Sequence, residues 1–289
     1  MHSITLVRDP AALKAALALE RGRRIALTPT MGALHEGHLS LLHLARERAG
    51  FVIASIFVNP TQFAPNEDFA SYPRDEASDL ISLANAGCDL VYAPSAEAMY
   101  PEGFSTRIIL SGISEPLEGA LRPGHFAGVA TVVAKLLIQV APDVAVFGEK
   151  DYQQLQVIRR LVRDLDLPAE IVGAPIKRDP DGLALSSRNV YLTPAERRIA
   201  PMLHAELEQA AEQLRRGAPA EMIGIEPTQR LKSSGFAVDY FEVRAADDLA
   251  PLEPGPVNRQ ARLLAAARLG RTRLIDNVEI TRHPVREAV

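Results

Sequence analysis

Two histidines three positions apart are the first residues in this chain whose types and spacing suggest chemistry. His35 and His38 lie in the stretch 28–38, where a predicted strand leads into a predicted helix, and Gly32 and Gly37 permit tight turns there. An imidazole N–H beside the unpaired backbone N–H groups of a helix N-terminus suits a phosphate group. The spacing is not His-Glu-x-x-His and no obvious third ligand follows, so we expect no metal site here.

A second candidate is Lys150, in the stretch Phe147-Gly148-Glu149-Lys150-Asp151, again where a strand leads into a helix. Its ammonium group would be a mobile positive charge near an anion, and Gly148 leaves room for a ring or ribose against the backbone. Taken alone, such a stretch is more often a solvated turn.

A third candidate is the triplet Ser186, Ser187 and Arg188, in a loop that follows Gly182. Two hydroxyl groups, loop amides and a guanidinium group suit the oxygens of a di- or triphosphate. An exposed turn is the alternative interpretation of these residues.

Four further polar residues could hold a small substrate. Gln62 and Gln154 can each donate and accept hydrogen bonds, which suits a hydroxyl group beside a carboxylate. Arg122 and His125 form a compact cationic corner, for which a charged turn before a helix is the alternative.

These residues must be positioned by regular elements, and the first 175 residues or so alternate between β-rich runs and helical patterns. This rhythm predicts an α/β fold with a Rossmann-like parallel sheet and flanking helices. The predicted strands are 24–28, 51–58, 89–93, 106–110, 144–147 and 170–172. The predicted helices are 37–48, 73–86 with Ser71 as a possible cap, 125–140 and 151–165. Because ligands of open parallel sheets bind beyond the carboxyl ends of the strands, we expect stretches 28–38, 59–62 and 147–151 to meet at one edge.

The chain changes character after Lys177, so we expect a first domain at 1–176 and a smaller α+β domain or lid at 177–289. A long helix is predicted at 194–216, followed by an alternating, antiparallel type of strand at 238–243.

Composition excludes several functions. The chain has 289 residues and a formal net charge of −4, without the basic excess of a nucleic-acid-binding domain. Cys88 is the only cysteine, which excludes an intramolecular disulfide and fits a small buried side chain in a cytoplasmic protein. No signal-peptide pattern and no membrane-length apolar run occurs, so neither membrane nor nucleic acid is expected as a partner.

Together the motifs resemble the pantothenate synthetases, also called pantoate–β-alanine ligases, within the nucleotidyltransferase superfamily. A His-x-Gly-His motif alone would indicate only the superfamily, whereas the whole set in this order is typical of the ligases. The motifs run from the first predicted strand to the predicted boundary, at 29–38, 57–63, 122–126, 147–154 and 181–189.

The resemblance implies ATP-dependent condensation of (R)-pantoate with β-alanine to pantothenate, AMP and diphosphate, through a pantoyl adenylate. It implies that His35, His38 and Lys150 supply positive charge or hydrogen bonds in catalysis, with Mg²⁺ bridging the ATP phosphates. It also implies a homodimer. The residues expected to bind ATP are Met31, Gly32, Ala33, Leu34, His35, Glu36, Gly37, His38, Gly148, Glu149, Lys150, Asp151, Lys177, Leu185, Ser186, Ser187 and Arg188. Those expected to bind pantoate or β-alanine, or to line their pocket, are Gln62, Gln154, Asn59, Tyr72, Arg122 and His125.

The chain departs from the family pattern at two positions. Leu185 stands where methionine is commonest, and Lys177 where we expect a valine that contacts adenine through its backbone. Another adenylate-forming ligase or nucleotidyltransferase remains an alternative, as does a nucleotide sensor without catalysis. Gln62, Gln154 and Asn59 argue for a small hydroxy acid against the former, and the retained His35, His38 and Lys150 argue against the latter.

Overall fold

The computed structural model describes residues 4–20, 22–65 and 67–281. The chain divides into two compact units, 1–177 and 178–289.

The first unit is built on a six-stranded parallel sheet, which confirms the predicted α/β class. Its strands lie in the order β1-β4-β3-β2-β5-β6. They are β1 (Thr5–Val7), β2 (Ile25–Thr30), β3 (Phe51–Ile56), β4 (Leu90–Tyr92), β5 (Val144–Gly148) and β6 (Glu170–Ala174). The order reverses between β2 and β5, which places a crevice beyond their carboxyl ends, where ligands of such sheets bind.

Helices cover both faces of this sheet. They are α1 (Pro10–Ala18), α2 (Glu36–Arg48), α3 (Glu76–Asn85), α4 (Ala96–Met99), α5 (Glu118–Leu121), α6 (His125–Val140) and α7 (Tyr152–Asp164). Single 3₁₀ turns follow β3 at Pro60–Gln62 and β5 at Glu149–Asp151. Central strands such as β3 are almost wholly apolar because one face packs on α6 and the other on α2.

Three predictions for the first unit were wrong in detail. The stretch 106–110 is extended but pairs with no strand among the described residues; Ile108 N–H instead donates to Thr131 Oγ1 at 3.0 Å. The helix predicted at 73–86 begins at Glu76, capped by Asp75 instead of Ser71. The strand predicted at 24–28 extends to Thr30, and β1 and α1 before it were not predicted.

The second unit is an α+β structure with an antiparallel sheet in the order β7-β8-β9. Its elements are α8 (Pro194–Ile199), α9 (Met202–Arg215), α10 (Ile225–Ser233), β7 (Phe236–Ala245), β8 (Ala261–Leu269) and β9 (Thr272–Ile280). Strands β8 and β9 form a hairpin around a two-residue turn in which Gly270 has a φ of +57°. Helices α9 and α10 pack on the sheet and enclose a second apolar core.

The single helix predicted at 194–216 is two helices, because Pro201 lacks the N–H that a continuous helix needs. Strands β8 and β9 were not predicted, since Ala261–Leu269 is almost wholly buried and shows no alternation. Over the described residues, no helix is both long enough and apolar enough to cross a bilayer.

Candidate active site at the switch point

His35 and His38 both cap the start of helix α2 by accepting backbone N–H groups at their ring nitrogens. The Gly37 N–H donates to Nδ1 of His35 at 3.1 Å, and the His35 N–H donates to Nδ1 of His38 at 3.4 Å. A ring nitrogen that accepts a hydrogen bond carries no proton, so each neutral ring holds its proton on Nε2. Both histidines therefore have an Nε2–H donor left for a ligand at the carboxyl end of β2.

The two rings are neutral at pH 7. Burial lowers the pKa of His35 to about 4, aided by the Lys150 charge and opposed by Asp151. The pKa of His38 is lowered to about 3, mainly by burial, with smaller contributions from repulsion by His35 when that ring is protonated and by Lys150. The positive charge expected of the histidines is thus absent at neutral pH, while the expected hydrogen-bond donors are present.

Asp79 holds the loop that leads into α2. Its carboxylate accepts the N–H groups of Ala33 at 2.9 Å and Leu34 at 2.8 Å. Gly32 and Ala33 both have positive φ, +80° and +51°, and a Cβ on Gly32 would lie 2.8 Å from Asp79 Oδ2. This buried carboxylate, which sequence reasoning missed, therefore stabilises a strained turn and occupies two of the amides expected to bind ATP.

Gln62 lies beside this loop, in the 3₁₀ turn after β3. Its Oε1 accepts the side-chain amide of Asn59 at 3.1 Å, and its Nε2 faces Met31 Sδ at 3.4 Å. Asn59 is buried and is held in turn by the Gly128 carbonyl at 3.2 Å and the Tyr100 hydroxyl at 2.9 Å. The structure thus brings Met31, Asn59 and Gln62 together as the motifs predicted.

Arg122 and His125 lie on the other side of Gln62. The guanidinium of Arg122 binds both carboxylate oxygens of Glu67, at 2.6 and 2.8 Å, and faces His125 Nε2 at 3.0 Å. His125 Nδ1 faces the Gln62 carbonyl at 2.9 Å. Burial lowers the pKa of His125 to about 4, with the Arg122 charge adding to the effect.

Lys150 lies in the 3₁₀ turn that follows β5, and β5 pairs directly with β2. Its charge reaches both histidines, as their lowered pKa values indicate. Because β3, β2 and β5 are neighbours, the three stretches after them meet at one sheet edge, as predicted. Gly148 ends β5, and the exposed Asp151 precedes α7.

The first turn of α7 is tied to a distant loop by Gln153, to which no role was given from the sequence. This buried side chain accepts the Glu118 N–H at 3.0 Å and donates to the carbonyls of Ile113 at 3.0 Å and Pro116 at 2.8 Å. Its neighbour Gln154 is half-buried on the same helix. Gln153 therefore fixes the segment from which Gln154 projects.

Three further residues were singled out from the sequence: Tyr72, expected in the pocket wall, and Lys177 and Leu185, which depart from the family pattern. Tyr72 is buried, edge-on to Phe63 with ring centroids 6.0 Å apart. Lys177 is exposed at the end of the first unit. Leu185 is half-buried in the second unit.

Within the second unit, Ser186 caps a 3₁₀ turn at Ser187–Tyr191 by accepting the Arg188 N–H at 3.3 Å. The preceding loop is anchored at two places by ion pairs. Arg178 binds both oxygens of Asp276 on β9, at 2.6 and 2.8 Å. Farther along the same loop, Asp179 and Asp181 both bind the guanidinium group of Arg197 on α8.

A parallel, doubly wound sheet with imidazole donors and a lysine at its switch point defines an α/β protein built to bind a phosphorylated ligand. Comparison with known proteins makes this class specific. The sequence profile of the family described as pantoate-beta-alanine ligase matches residues 5–279. The chain therefore belongs to the pantoate–β-alanine ligase family.

Curated relatives and solved structures agree with this assignment. The pantothenate synthetase of Caulobacter vibrioides is 58% identical over 90% of this chain and 92% of its own. The pantothenate synthetase of Paramagnetospirillum magneticum is 56% identical, over 96% of this chain and 98% of its own. The crystal structure of the Thermus thermophilus enzyme superposes with a TM-score of 0.90 at 47% identity, covering 96% of this chain and 99% of that one. The Francisella tularensis ligase, solved with a β-γ ATP compound and β-alanine, superposes with a TM-score of 0.82 at 35% identity. The superposition covers 98% of this chain and 100% of that one.

Proposed function

We propose that this chain condenses (R)-pantoate with β-alanine at the expense of ATP, releasing AMP and diphosphate through an enzyme-bound pantoyl adenylate. Family membership over nearly the whole chain supports the reaction. The observation that carries the proposal is the meeting of two hydrogen-bond donors, His35 and His38, with Lys150 beyond β2 and β5. A carboxylate needs such a site because activating it brings two anions together at the α-phosphorus.

The nucleotide is bound by the residues after β2 and β5. The neutral Nε2–H groups of His35 and His38 donate to phosphate oxygens as charge shifts toward diphosphate, and Lys150 neutralises the α-phosphate. Met31 and Gly148 contact the adenosine part, which Asp151 borders at the ribose. Because Asp79 occupies the amides of Ala33 and Leu34, these two residues contribute by other atoms.

Mg²⁺ enters as the partner of the ATP phosphates. Among the residues described, no cluster of three or more carboxylate, imidazole or thiol side chains could hold a metal by itself.

Pantoate is held by Gln62 and Gln154, whose amides match its hydroxyl and carboxylate groups. Gln62 also borders the site from which the β-alanine amine attacks the adenylate carbonyl, and Tyr72 lines the pocket. Ser186, Ser187 and Arg188 bind the β- and γ-phosphates, and the chain from Lys177 onward contacts adenine.

We also propose a cytoplasmic homodimer. Exposed apolar side chains support self-association: Ile109 is 72% exposed, and Ile138 on helix α6 is 65% exposed. Sedimentation of Ile109→Lys should show a monomer, whereas Ile81→Lys, which changes an exposed isoleucine on α3, should leave the dimer intact. A dimer that persists in Ile109→Lys would place the interface elsewhere.

The reaction is tested by following AMP release with ATP, Mg²⁺, pantoate and β-alanine. AMP should form only when both acids are present, and exchange of labelled diphosphate into ATP should require pantoate alone. AMP release that continues without pantoate or without β-alanine would overturn the assignment. Lys150→Ala should abolish most of the exchange in a folded protein, with the exposed Lys14→Ala as the control.

A further inference from the structure

A continuous chain of hydrogen bonds runs from Glu67 to the backbone of Gln62. Glu67 binds the Arg122 guanidinium through two bonds of 2.6 and 2.8 Å, and Arg122 lies 3.0 Å from His125 Nε2. His125 Nδ1 lies 2.9 Å from the carbonyl of Gln62. Two segments, 62–67 and 122–125, are thus joined by one chain that ends on a backbone carbonyl.

The chemistry of the partners fixes where the proton of His125 resides. A guanidinium can only donate, so Nε2 accepts, and a carbonyl can only accept, so Nδ1 donates. Only the neutral Nδ1–H tautomer satisfies both neighbours. A doubly protonated ring would set an N–H against the Arg122 N–H groups, which agrees with the lowered pKa of His125.

Both ring nitrogens of the buried His125 are engaged, one by Arg122 and the other by the Gln62 carbonyl. Arg122 uses three of its five N–H groups, two on Glu67 and one on His125. Glu118 adds a second carboxylate 3.8 Å from Arg122. A ring nitrogen of His125 could therefore bind a substrate only by giving up one of these two partners.

We infer that Glu67, Arg122 and His125 are positioning residues, which lock the carbonyl of Gln62 and so aim its side-chain amide at pantoate. The inference rests on the proposed function for the role of Gln62, whereas the tautomer stands on geometry alone. Asn59 holds Gln62 Oε1 at 3.1 Å from the opposite side. Gln62 is thus fixed at both its backbone and its side chain, which removes the conformational freedom that binding would otherwise restrict.

The first test is kinetic and uses pantoate-dependent exchange of diphosphate into ATP. His125→Ala should raise the KM for pantoate about ten-fold, while the KM for ATP and kcat change by less than about three-fold. His125→Asn should recover most of that loss, because its amide N–H can replace Nδ1–H toward the Gln62 carbonyl. Equal effects on the KM values for pantoate and ATP, or no effect on either, would overturn the positioning role.

Glu67→Gln provides the second arm, with Glu76→Gln as its matched control. Glu76 makes a bidentate pair with Arg8 at 2.6 and 3.0 Å, of similar geometry but exposed. Glu67→Gln should raise the KM for pantoate, Glu76→Gln should not, and the double variant Glu67→Gln/His125→Ala should be no worse than His125→Ala alone. Additive losses would show that the residues do not act as one chain.

The third arm is spectroscopic and does not depend on catalysis. In protein labelled with ¹⁵N-histidine, the His125 ring at pH 7 should show a protonated Nδ1 and an unprotonated Nε2. The opposite tautomer would refute the chain of hydrogen bonds from Glu67 to Gln62 even if the enzyme is active. Conversely, the expected tautomer in a wild-type protein without exchange activity would retain the geometry and reject the proposed function. If His125→Ala fails to fold, the kinetic test is made with His125→Asn and Glu67→Gln.

Discussion

His35 and His38 lie with their ring centroids 4.1 Å apart and their planes tilted by 37°, at the start of one helix. Each ring accepts a backbone N–H at Nδ1, and each keeps a proton on Nε2. Each histidine side chain thus has two separable functions: Nδ1 stabilises the helix terminus, and Nε2–H can donate to a ligand.

Two substitutions at His38 should separate these functions. Asparagine places an acceptor near the Nδ1 position and removes the distal donor, so we expect exchange activity to fall by about 10²-fold or more with stability nearly unchanged. Glutamine places its amide near Nε2, so we expect it to retain more activity; at the third helix position it can also accept the His35 N–H, so stability should change little. The checks are exchange kinetics and urea unfolding on both proteins; an asparagine variant that is as active as the glutamine variant, or that is strongly destabilised, argues against the division of roles.

The lowered pKa values predict that stability depends on pH in the acidic range. In the unfolded chain these histidines bind protons near pH 6.5, whereas in the folded chain His35 and His125 do so only near pH 4 and His38 near pH 3. The unfolded state therefore binds more protons below about pH 6.5, and the unfolding free energy falls as pH decreases from there toward 4, by at most about 1.4 kcal/mol per pH unit for each group.

Urea unfolding between pH 4.5 and 7.5 measures this slope. The variant His38→Asn cannot take up the corresponding proton, so its slope should be shallower than that of the wild type. A slope that is identical in both proteins contradicts the lowered pKa of His38.

Removing the Asp79 carboxylate should loosen the loop before α2. Asp79→Ala leaves the N–H groups of Ala33 and Leu34 without their partner, and we expect a loss of about 2–4 kcal/mol together with slower exchange. The control is Asp75→Ala, which removes the cap of the same helix α3 and should cost about 1 kcal/mol. Exchange per folded molecule should be normal in the control; a normal rate in Asp79→Ala would show that the loop keeps its conformation unaided.

Gly128 sets the distance between α6 and the Gln62 segment. A Cβ at Gly128 would lie 2.4 Å from the Thr61 carbonyl oxygen and 2.7 Å from Gln62 Cα. We expect Gly128→Ala to cost about 1–3 kcal/mol and to raise the KM for pantoate more than that for ATP. Gly50→Ala is the control, since its new Cβ would meet nothing closer than 3.8 Å. Unchanged pantoate kinetics in Gly128→Ala would mean that the segment can move aside without consequence.

Much of the first unit could be predicted because its signals are local. Helix 125–140 was predicted with the observed bounds, and the edge where the strand ends meet follows from the alternation of strands and helices. Residues that act across long sequence distances could not be found in this way. Asp79 reaches back 45 residues to Leu34, and Glu67 pairs with Arg122 across 55. Neither carboxylate belongs to a motif, and each resembles an ordinary surface acid until the chain is folded.

The position of β1 and the reversal of strand order also determine when the first unit can form as the chain emerges from the ribosome. Among the described residues, β1 pairs only with β4, so Thr5 cannot pair until Leu90 has been synthesised. Strand β2 likewise gains its second neighbour only when Val144 has been synthesised. The crevice between β2 and β5 therefore assembles only after most of the unit's residues have been synthesised. Pairing of parallel strands that are so far apart in sequence is also slow, which delays it further. All six strands end by Ala174, before the second unit begins, so the nascent sheet can complete itself without that unit.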